Sequence, residues 1–145
     1  MHDAAMGMWA DDAASAMLGM QAVKVAPGRA RVSMLVRPDM VNGHDLCHGG
    51  VIASLADSAF ALACNSHGPV TVAAGFAIDF LLPGRLGQVL HAEAREVSRH
   101  GRSGIYDVTV RADDPEAGEV IAEFRGRSRT LPDSRGADRG SAPRA

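Results

Sequence analysis

Apolar side chains recur at helical spacing between residues 51 and 64, and at every second position in several shorter segments. In the first segment, they fall at i, i+3, i+4, i+7, i+8 and i+11: Ile52, Leu55, Ala56, Ala59, Phe60 and Ala63. This spacing places them in one stripe along a helix, and Val51 and Leu62 widen the stripe. The pattern predicts one long, buried helix that ends at the His-Gly-Pro sequence 67–69.

Alternating patterns predict strands on both sides of this helix. Before it, apolar and polar residues alternate over 29–36 as far as Pro38, and residues 21–25 are the predicted hairpin partner. The strands predicted after it are 70–82, 86–97, 103–110 and 119–131. Consecutive strands after a single helix indicate an α+β protein with an antiparallel sheet. The exposed edges of such a sheet favour dimerisation.

The two ends of the chain differ from this body. Residues 1–20 form a predicted helical segment, in which Asp11 or Asp12 caps a short helix that runs to Leu18. Residues 132–145 carry no large apolar side chain, and we expect them to be a disordered tail. Residues 1–131 are therefore predicted to form a single domain.

The composition excludes several classes of function. The chain has 145 residues, 46% of them hydrophobic, and its net charge of −2 indicates no basic surface for nucleic acid. No apolar run reaches the ~18–20 residues that span a bilayer, and no Lys or Arg precedes Lys24, whereas a secretory signal begins with a positively charged segment. We expect a cytoplasmic protein that binds neither nucleic acid nor membrane and keeps Cys47 and Cys64 reduced, the alternatives for these two cysteines being a metal pair or a disulfide.

Asp57 is the only charged residue inside the predicted helix, and it lies one position off the apolar stripe. Burying an unpaired carboxylate costs several kcal/mol, so a compensating interaction or a function is expected. One interpretation is that Asp57 is exposed or hydrogen-bonded to Ser54 or Ser58. The other is a general base or nucleophile in a partly dry pocket.

A polar, glycine-rich segment, Asn42–Gly50, precedes this helix. The first backbone N–H groups of a helix are free and lie at the positive end of its dipole. Because glycine lets a ligand oxygen approach closely, Gly49 beside His48 is a predicted oxyanion hole for a carbonyl that becomes tetrahedral. The alternative is a plain glycine-rich turn in which His48 only begins the helix.

Asp57 and Gly49 cannot act on the same carbon within one chain, because eight residues of helix separate them by about 12 Å. Asp57 can meet the Gly49 of a second chain that packs antiparallel to the first. The sequence therefore predicts a homodimer with composite sites.

Three weaker candidates have competing structural interpretations. His44 and His48 are four residues apart and could bind a metal if both lay on a helix. The glycines around them favour a loop, and no metal is expected. Ser58 could orient a substrate or bond the preceding helical turn. The basic turn 99–104 could hold an anionic group or simply be solvated.

The segment Asn42–Gly50, continuing into Leu55–Asn65, resembles the hot-dog-fold acyl-CoA thioesterases, and most closely the phenylacetic-acid degradation thioesterases. Residues 78–84, 104–107 and 124–128 are similar to the same family in order and spacing. The resemblance covers about residues 12 to 131. It implies an α+β hot-dog fold, with an antiparallel sheet wrapped around one long central helix, paired into homodimers and often into homotetramers.

The resemblance also implies roles for residues near the helix. Asp57 matches the family's catalytic carboxylate, and Gly49 matches the backbone donor to the thioester carbonyl from the opposite subunit. His48 and Asn42 match polar residues that support the start of the helix, and these four are the expected catalytic set.

The turn 99–103 matches a region that contacts coenzyme A in relatives. Arg102 and Ser103, together with Ser58, are therefore the expected substrate-binding residues. Some aryl-CoA relatives carry Ser on the strand after the helix, where this chain has Ala73, and this leaves the acyl group open.

The implied activity is hydrolysis of acyl-CoA thioesters to free acid and coenzyme A. Aryl-acyl substrates such as phenylacetyl-CoA or its hydroxylated derivatives are expected. No metal or cofactor is required, because the helix start supplies the positive field. Two alternatives remain: a hot-dog dehydratase or hydratase acting on acyl-CoA or acyl-carrier protein, and a non-catalytic acyl-CoA-binding protein.

Overall fold

The computed structural model describes residues 2–132, which form three α-helices and six β-strands. The helices are α1 (His2–Ala10), α2 (Ala13–Met17) and α3 (Gly49–Asn65), with a short 3-10 turn at Pro38–Met40. The strands are β1 (Gln21–Ala26), β2 (Arg29–Leu35), β3 (Thr71–Phe80), β4 (Val89–His100), β5 (Ser103–Ala112) and β6 (Val120–Thr130).

The strands of the described residues form one antiparallel sheet in the order β1-β2-β4-β5-β6-β3. Helix α3 packs along one face of this sheet and contacts every strand in it. The predicted α+β class, with an antiparallel sheet around one long helix, is confirmed. The sheet begins and ends at β1 and β3, so these two strands have unpaired edges.

The predicted apolar stripe is the buried face of α3. Its six residues are each at most 2% exposed. Phe60 lies at the centre of the contact, with its ring centroid 5.7 Å from those of Tyr106 and Phe124. Below it, a Cβ on Gly126 would come within 2.8 Å of the Phe60 ring, so glycine is required there for helix and sheet to pack this closely.

The N-terminal segment folds back onto α3. Asp12 caps α2 by accepting a hydrogen bond from the N–H of Ser15, which confirms the predicted cap. The helix ends where Gly19 adopts φ +68°, a conformation that favours glycine. Helices α1 and α2 both contact α3 on the side that the sheet leaves open.

The β3 edge carries an unusual amount of exposed apolar surface. Five large side chains on this strand and in the loop after it are between 41% and 57% exposed: Val72, Phe76, Phe80, Leu81 and Leu82. An unpaired, apolar edge strand presents free backbone groups to another strand and is typical of an interface.

One predicted strand is shifted by three residues at both ends, whereas the observed ends of the other strands lie within two residues of the predicted ones. Strand β4 begins at Val89 rather than 86, because Gly87 adopts φ +86° in a turn. It continues to His100 rather than 97, because Val97 is accommodated as a bulge before the tight turn at Gly101.

Cys47 and Cys64 are both free and buried. Of the tail 132–145 for which disorder is predicted, all but Pro132 lies outside the described residues. Among residues 2–132, no helix is long and apolar enough to cross a membrane.

Candidate active site

The start of α3 leaves the N–H of Gly49 without an acceptor in the part of the chain that the structure describes. His48 is the N-cap, and its Nδ1 accepts a hydrogen bond from the N–H of Gly50 at 3.1 Å. The N–H of His48 donates to the carbonyl of Met40 at 2.8 Å, which fixes the approach to the helix. Because Nδ1 accepts, the neutral imidazole carries its proton on Nε2, where it can donate to a ligand.

Asn42 shapes the loop in front of α3. Its Oδ1 accepts hydrogen bonds from the N–H groups of His44 and Leu46, at 2.9 and 3.2 Å. Asp45, between them, adopts φ +60° to close this turn. His44 therefore lies in a loop and not on a helix with His48, which removes the geometry that the metal alternative needs.

A cavity of about 350 Å³ opens directly above Gly49. Its walls are mostly apolar and come from the loop, the first turn of α3 and the end of β3: Asn42, Leu46, Cys47, Gly49, Ile52, Phe80, Leu81, Leu82 and Pro83. The Phe80 ring lies so close that a Cβ on Gly49 would be 3.2 Å from it. The free N–H of Gly49 thus borders an apolar cavity, one wall of which is the exposed end of β3.

Asp57 lies half-buried in the middle of α3. Its carboxylate accepts no hydrogen bond from any group within residues 2–132. The Ser54 hydroxyl donates to the carbonyl of Gly50, and the Ser58 hydroxyl is bonded to Ser15, so neither stabilises the carboxylate. The interpretation of Asp57 as locally hydrogen-bonded to Ser54 or Ser58 is wrong.

Two features of its surroundings raise the pKa of Asp57 above the usual aspartate value. The larger is burial, and the second is the negative charge of Asp12, the N-cap of α2. Both disfavour the ionised form, so the carboxylate holds a proton more strongly than a solvated one does. A stronger affinity for protons is the property that a general base requires.

Asp57 lies between two sides of α3, one covered by the sheet and the other by α2. At about 100° per residue, it is roughly 60° around the helix from Phe60 and roughly 100° from Ser58. Phe60 packs against Phe124 of β6, the neighbour of β3, whereas Ser58 contacts α2. Asp57 therefore lies on α3 between the side that packs on the sheet and the side that contacts α2.

Arg102, in the turn between β4 and β5, and Ser103, the first residue of β5, lie at the opposite end of the sheet from Gly49. Ser103 pairs with Arg129, which in turn pairs with Val72 at the beginning of β3. The side chains of this end line a depression of about 320 Å³: Ala74, Ser98, His100, Ser103, Gly104, Ile105, Arg127, Ser128 and Arg129. In a single chain, neither turn residue reaches the cavity above Gly49.

The structure thus brings Asn42, His48 and Gly49 together and separates them from the other predicted site residues. Sequence reasoning missed the apolar wall at the end of β3, because the Phe-Leu-Leu-Pro sequence at 80–83 looks like an ordinary strand end. It also missed Ser15, which only the packing of α2 on α3 brings to Ser58.

Comparison with known families gives a consistent match. A family model described as "Thioesterase superfamily" matches residues 44–119, which contain the loop from His44 onward, α3 and strands β3 to β5. The acyl-coenzyme A thioesterase PaaI of Escherichia coli is 40% identical over 127 residues, which cover 88% of this chain and 89% of that protein.

Solved structures agree in fold. The E. coli PaaI protein from the phenylacetic acid degradation operon superimposes with a TM-score of 0.85 and 39% identity, over 90% of this chain and 92% of that one. The phenylacetic acid degradation protein PaaI of Thermus thermophilus superimposes with a TM-score of 0.77 and 38% identity, over 83% of this chain and 100% of that one. The smu.793 protein of Streptococcus mutans, bound to acetyl-CoA, superimposes with a TM-score of 0.72 and 25% identity, over 77% of this chain and 88% of that one.

Proposed function

Because this chain belongs to the thioesterase superfamily and is an acyl-CoA thioesterase with the hot-dog fold, we propose that it hydrolyses aryl-acyl-CoA thioesters in composite sites shared by two chains. Family membership decides for thioester hydrolysis over the dehydratase and binding-protein alternatives. One observation carries the composite site. The free N–H of Gly49 and the unbonded carboxylate of Asp57 lie on one helix, about 12 Å apart.

The proposed dimer forms through β3. Two β3 edges that pair antiparallel about a two-fold axis satisfy each other's free backbone groups. The same pairing covers the exposed apolar side chains of Val72, Phe76 and Phe80. Pairing of such dimers into a homotetramer is part of the proposal, and light scattering during size-exclusion chromatography measures both steps.

A two-fold axis also explains how Asp57 reaches a neighbouring Gly49. Ala53 is midway between these residues along α3. If the axis passes beside Ala53, two antiparallel copies of α3 bring each Asp57 level with the Gly49 of the other chain. The small side chain of Ala53 permits the close approach that this arrangement needs.

The same symmetry assembles the rest of the site. In an antiparallel β3 pair, the start of one strand lies beside the end of the other. The β4–β5 turn, with Arg102 and Ser103, lies at the start of β3, while Gly49 lies at its end. Each helix start would therefore receive from the second chain both Asp57 and the turn proposed to contact coenzyme A.

The chemistry proposed for this site is a direct hydrolysis. The thioester carbonyl oxygen accepts a hydrogen bond from the N–H of Gly49, at the positive end of α3, where the negative charge of a tetrahedral intermediate is stabilised. Asp57 of the other chain removes a proton from water, which attacks the carbonyl carbon. Direct attack by the carboxylate, giving an anhydride that water cleaves, is the second route. Collapse of the intermediate expels the coenzyme A thiolate.

His48 and Asn42 support these steps from the loop. The Nε2–H of His48 is free to donate to the bound thioester because Nδ1 is committed to Gly50. Asn42 holds the loop closed through its carbonyl oxygen. We assign both residues to orientation and not to proton removal.

The acyl preference tests the proposal most directly. The cavity above Gly49 is bounded by Leu46, Ile52 and Phe80, so an aromatic acyl group buries more apolar surface there than a short one does. We expect kcat/KM for phenylacetyl-CoA to exceed that for acetyl-CoA by about 10- to 10²-fold, the effect of burying one large apolar group. A panel of phenylacetyl-, hydroxyphenylacetyl-, benzoyl-, octanoyl- and acetyl-CoA, followed by free-thiol detection, measures it. Fastest release from acetyl- or octanoyl-CoA would contradict the aryl assignment.

The activity should also depend on pH through Asp57. A general base must be ionised, so kcat/KM will fall as the pH drops through the raised pKa of this carboxylate. The acid limb of the profile is therefore expected above the ordinary aspartate value of 3.8. Full activity at pH 4, with circular dichroism showing a folded protein, would contradict this assignment.

A further inference from the structure

The cap of α2 is bonded directly to the helix that carries Asp57. The Ser15 hydroxyl is 2.7 Å from Oδ2 of Asp12 and 2.7 Å from the hydroxyl of Ser58. The N–H of Ser15 donates to Oδ1 of Asp12 at 2.9 Å. Ser15 is only 2% exposed, so this chain of hydrogen bonds is shielded from water at its centre.

The chemistry of the three groups fixes the direction of the hydrogen bonds. A carboxylate accepts and does not donate, so the single hydroxyl proton of Ser15 goes to Asp12. Ser15 must then accept from Ser58, whose own proton is committed to α2. Ser58 retains only lone pairs for any other partner. It is therefore a tether between α2 and α3, and it has no proton with which to stabilise Asp57 or donate to a substrate.

This tether holds a second negative charge beside the proposed base. Asp12 is close enough to Asp57 for its charge to add to burial in raising the pKa of that carboxylate. The other titratable group on α3 near Asp57 is the buried thiol of Cys64, whose pKa of about 12 keeps it neutral. Helix α1 carries no charged residue between 4 and 10. In the proposed dimer, the positive end of the second α3 acts in the opposite direction and favours ionisation.

We propose that Asp12 and Ser15 are positioning residues that set the basicity of Asp57. The inference rests on the proposed function, since it assumes that Asp57 is the base. The N-terminal segment then belongs to the active site, although none of its residues needs to touch the acyl group. Because α2 extends over only Ala13–Met17, this role depends on the cap and on its hydrogen bond to Ser58, in addition to the packing of α1 and α2 on α3.

Asp12→Asn removes the negative charge of Asp12 and keeps a cap at the start of α2. The asparagine oxygen still accepts from the N–H of Ser15 and caps the helix about as well as an aspartate oxygen does, so the fold is retained, whereas the amide nitrogen that replaces Oδ2 no longer accepts from the Ser15 hydroxyl. We expect the acid limb of kcat/KM to move to lower pH, because removal of a negative neighbour favours the ionised form of Asp57. High salt should shrink the difference from the wild type, since at 1 M the screening length is only about 3 Å. The matched control is Asp11→Asn, which removes the same charge from the exposed position next to the cap.

Ser58→Ala tests the tether itself. If Ser58 acts only through α2, the acid limb moves in the same direction as in Asp12→Asn, and KM for acyl-CoA stays at its wild-type value. A rise in KM with an unmoved acid limb would instead make Ser58 a substrate contact and overturn the inference. An acid limb that is unmoved in Asp12→Asn, or moved equally in Asp11→Asn, would also overturn it. Full activity of Asp57→Asn would overturn the proposed function itself, so the two failures are distinguishable.

Discussion

Replacing Asp57 by Asn will lower kcat by about 10²–10⁴-fold, the usual worth of a positioned proton acceptor. Asn has nearly the same shape and keeps the helix intact, but its amide removes no proton from water. KM should change little, because the carboxylate acts on the attacking group and not on the bound coenzyme. Steady-state thiol release from phenylacetyl-CoA measures the loss, with Asp11→Asn as the matched control that removes an exposed charge.

The same substitution should stabilise the folded chain. The folded-state pKa of Asp57 is raised, so its contribution to stability is present below the unfolded-state pKa and is lost as the pH rises through the folded-state pKa. At pH 7 the ionised carboxylate therefore opposes folding, and neutral Asn removes that cost. A higher Tm together with the loss of kcat identifies a residue kept for chemistry at the expense of stability. Undiminished hydrolysis by Asp57→Asn would remove this residue from the mechanism.

A charge at the middle of β3 should abolish activity by separating the two chains. Ala77→Glu places a carboxylate on each copy of the strand near the proposed two-fold axis, where the two charges repel each other and lose solvent. A monomer has no second Asp57 opposite Gly49, so kcat should fall by about the same 10²–10⁴-fold as in Asp57→Asn. Light scattering reports the oligomeric state, and thiol release reports the activity of the same samples.

Two further variants keep this result interpretable. Phe76→Glu carries the same charge on the face toward α3, but its ring packs 4.7 Å from that of Phe124, so its fold must be checked by circular dichroism. Leu35→Glu is the matched control, because Leu35 is 50% exposed on β2, away from the β3 edge. An active monomer, from either β3 variant, would contradict the composite site.

The sequence predicted the fold well where a regular pattern had a single structural solution. The stripe from Ile52 to Ala63 has the period of a helix, and the segments after it alternate as strands, so the α+β class follows from side-chain spacing alone. Strand ends were harder to predict. The bulge at Val97 extends β4 to a turn that the alternation does not reveal, because a bulge breaks the period of two.

The candidate site was predictable only in part, because some of its contacts join residues that are far apart in the sequence. Asp57 was identifiable because a charge inside an apolar helix requires an explanation, and Gly49 because it begins that helix. The tether through Ser15 was not identifiable from the sequence, since Ser15 and Ser58 are 43 positions apart and meet only when α2 packs on α3. The side chains at 80–82 look like an ordinary strand end in sequence, and only the sheet order shows that they border a free edge.

The most direct test of the shared site is complementation between two inactive chains. The added methyl group of Gly49→Ala should displace the Phe80 ring and move the thioester carbonyl away from the N–H of residue 49. A shift of about 1 Å should lower kcat by about 10²-fold. A doubly tagged heterodimer of one Gly49→Ala chain and one Asp57→Asn chain has one site with both defects and one with neither. We predict that it recovers about half of the wild-type kcat, because one of its two sites is intact. Activity no higher than that of the two parent homodimers, in a purified heterodimer, would contradict the account.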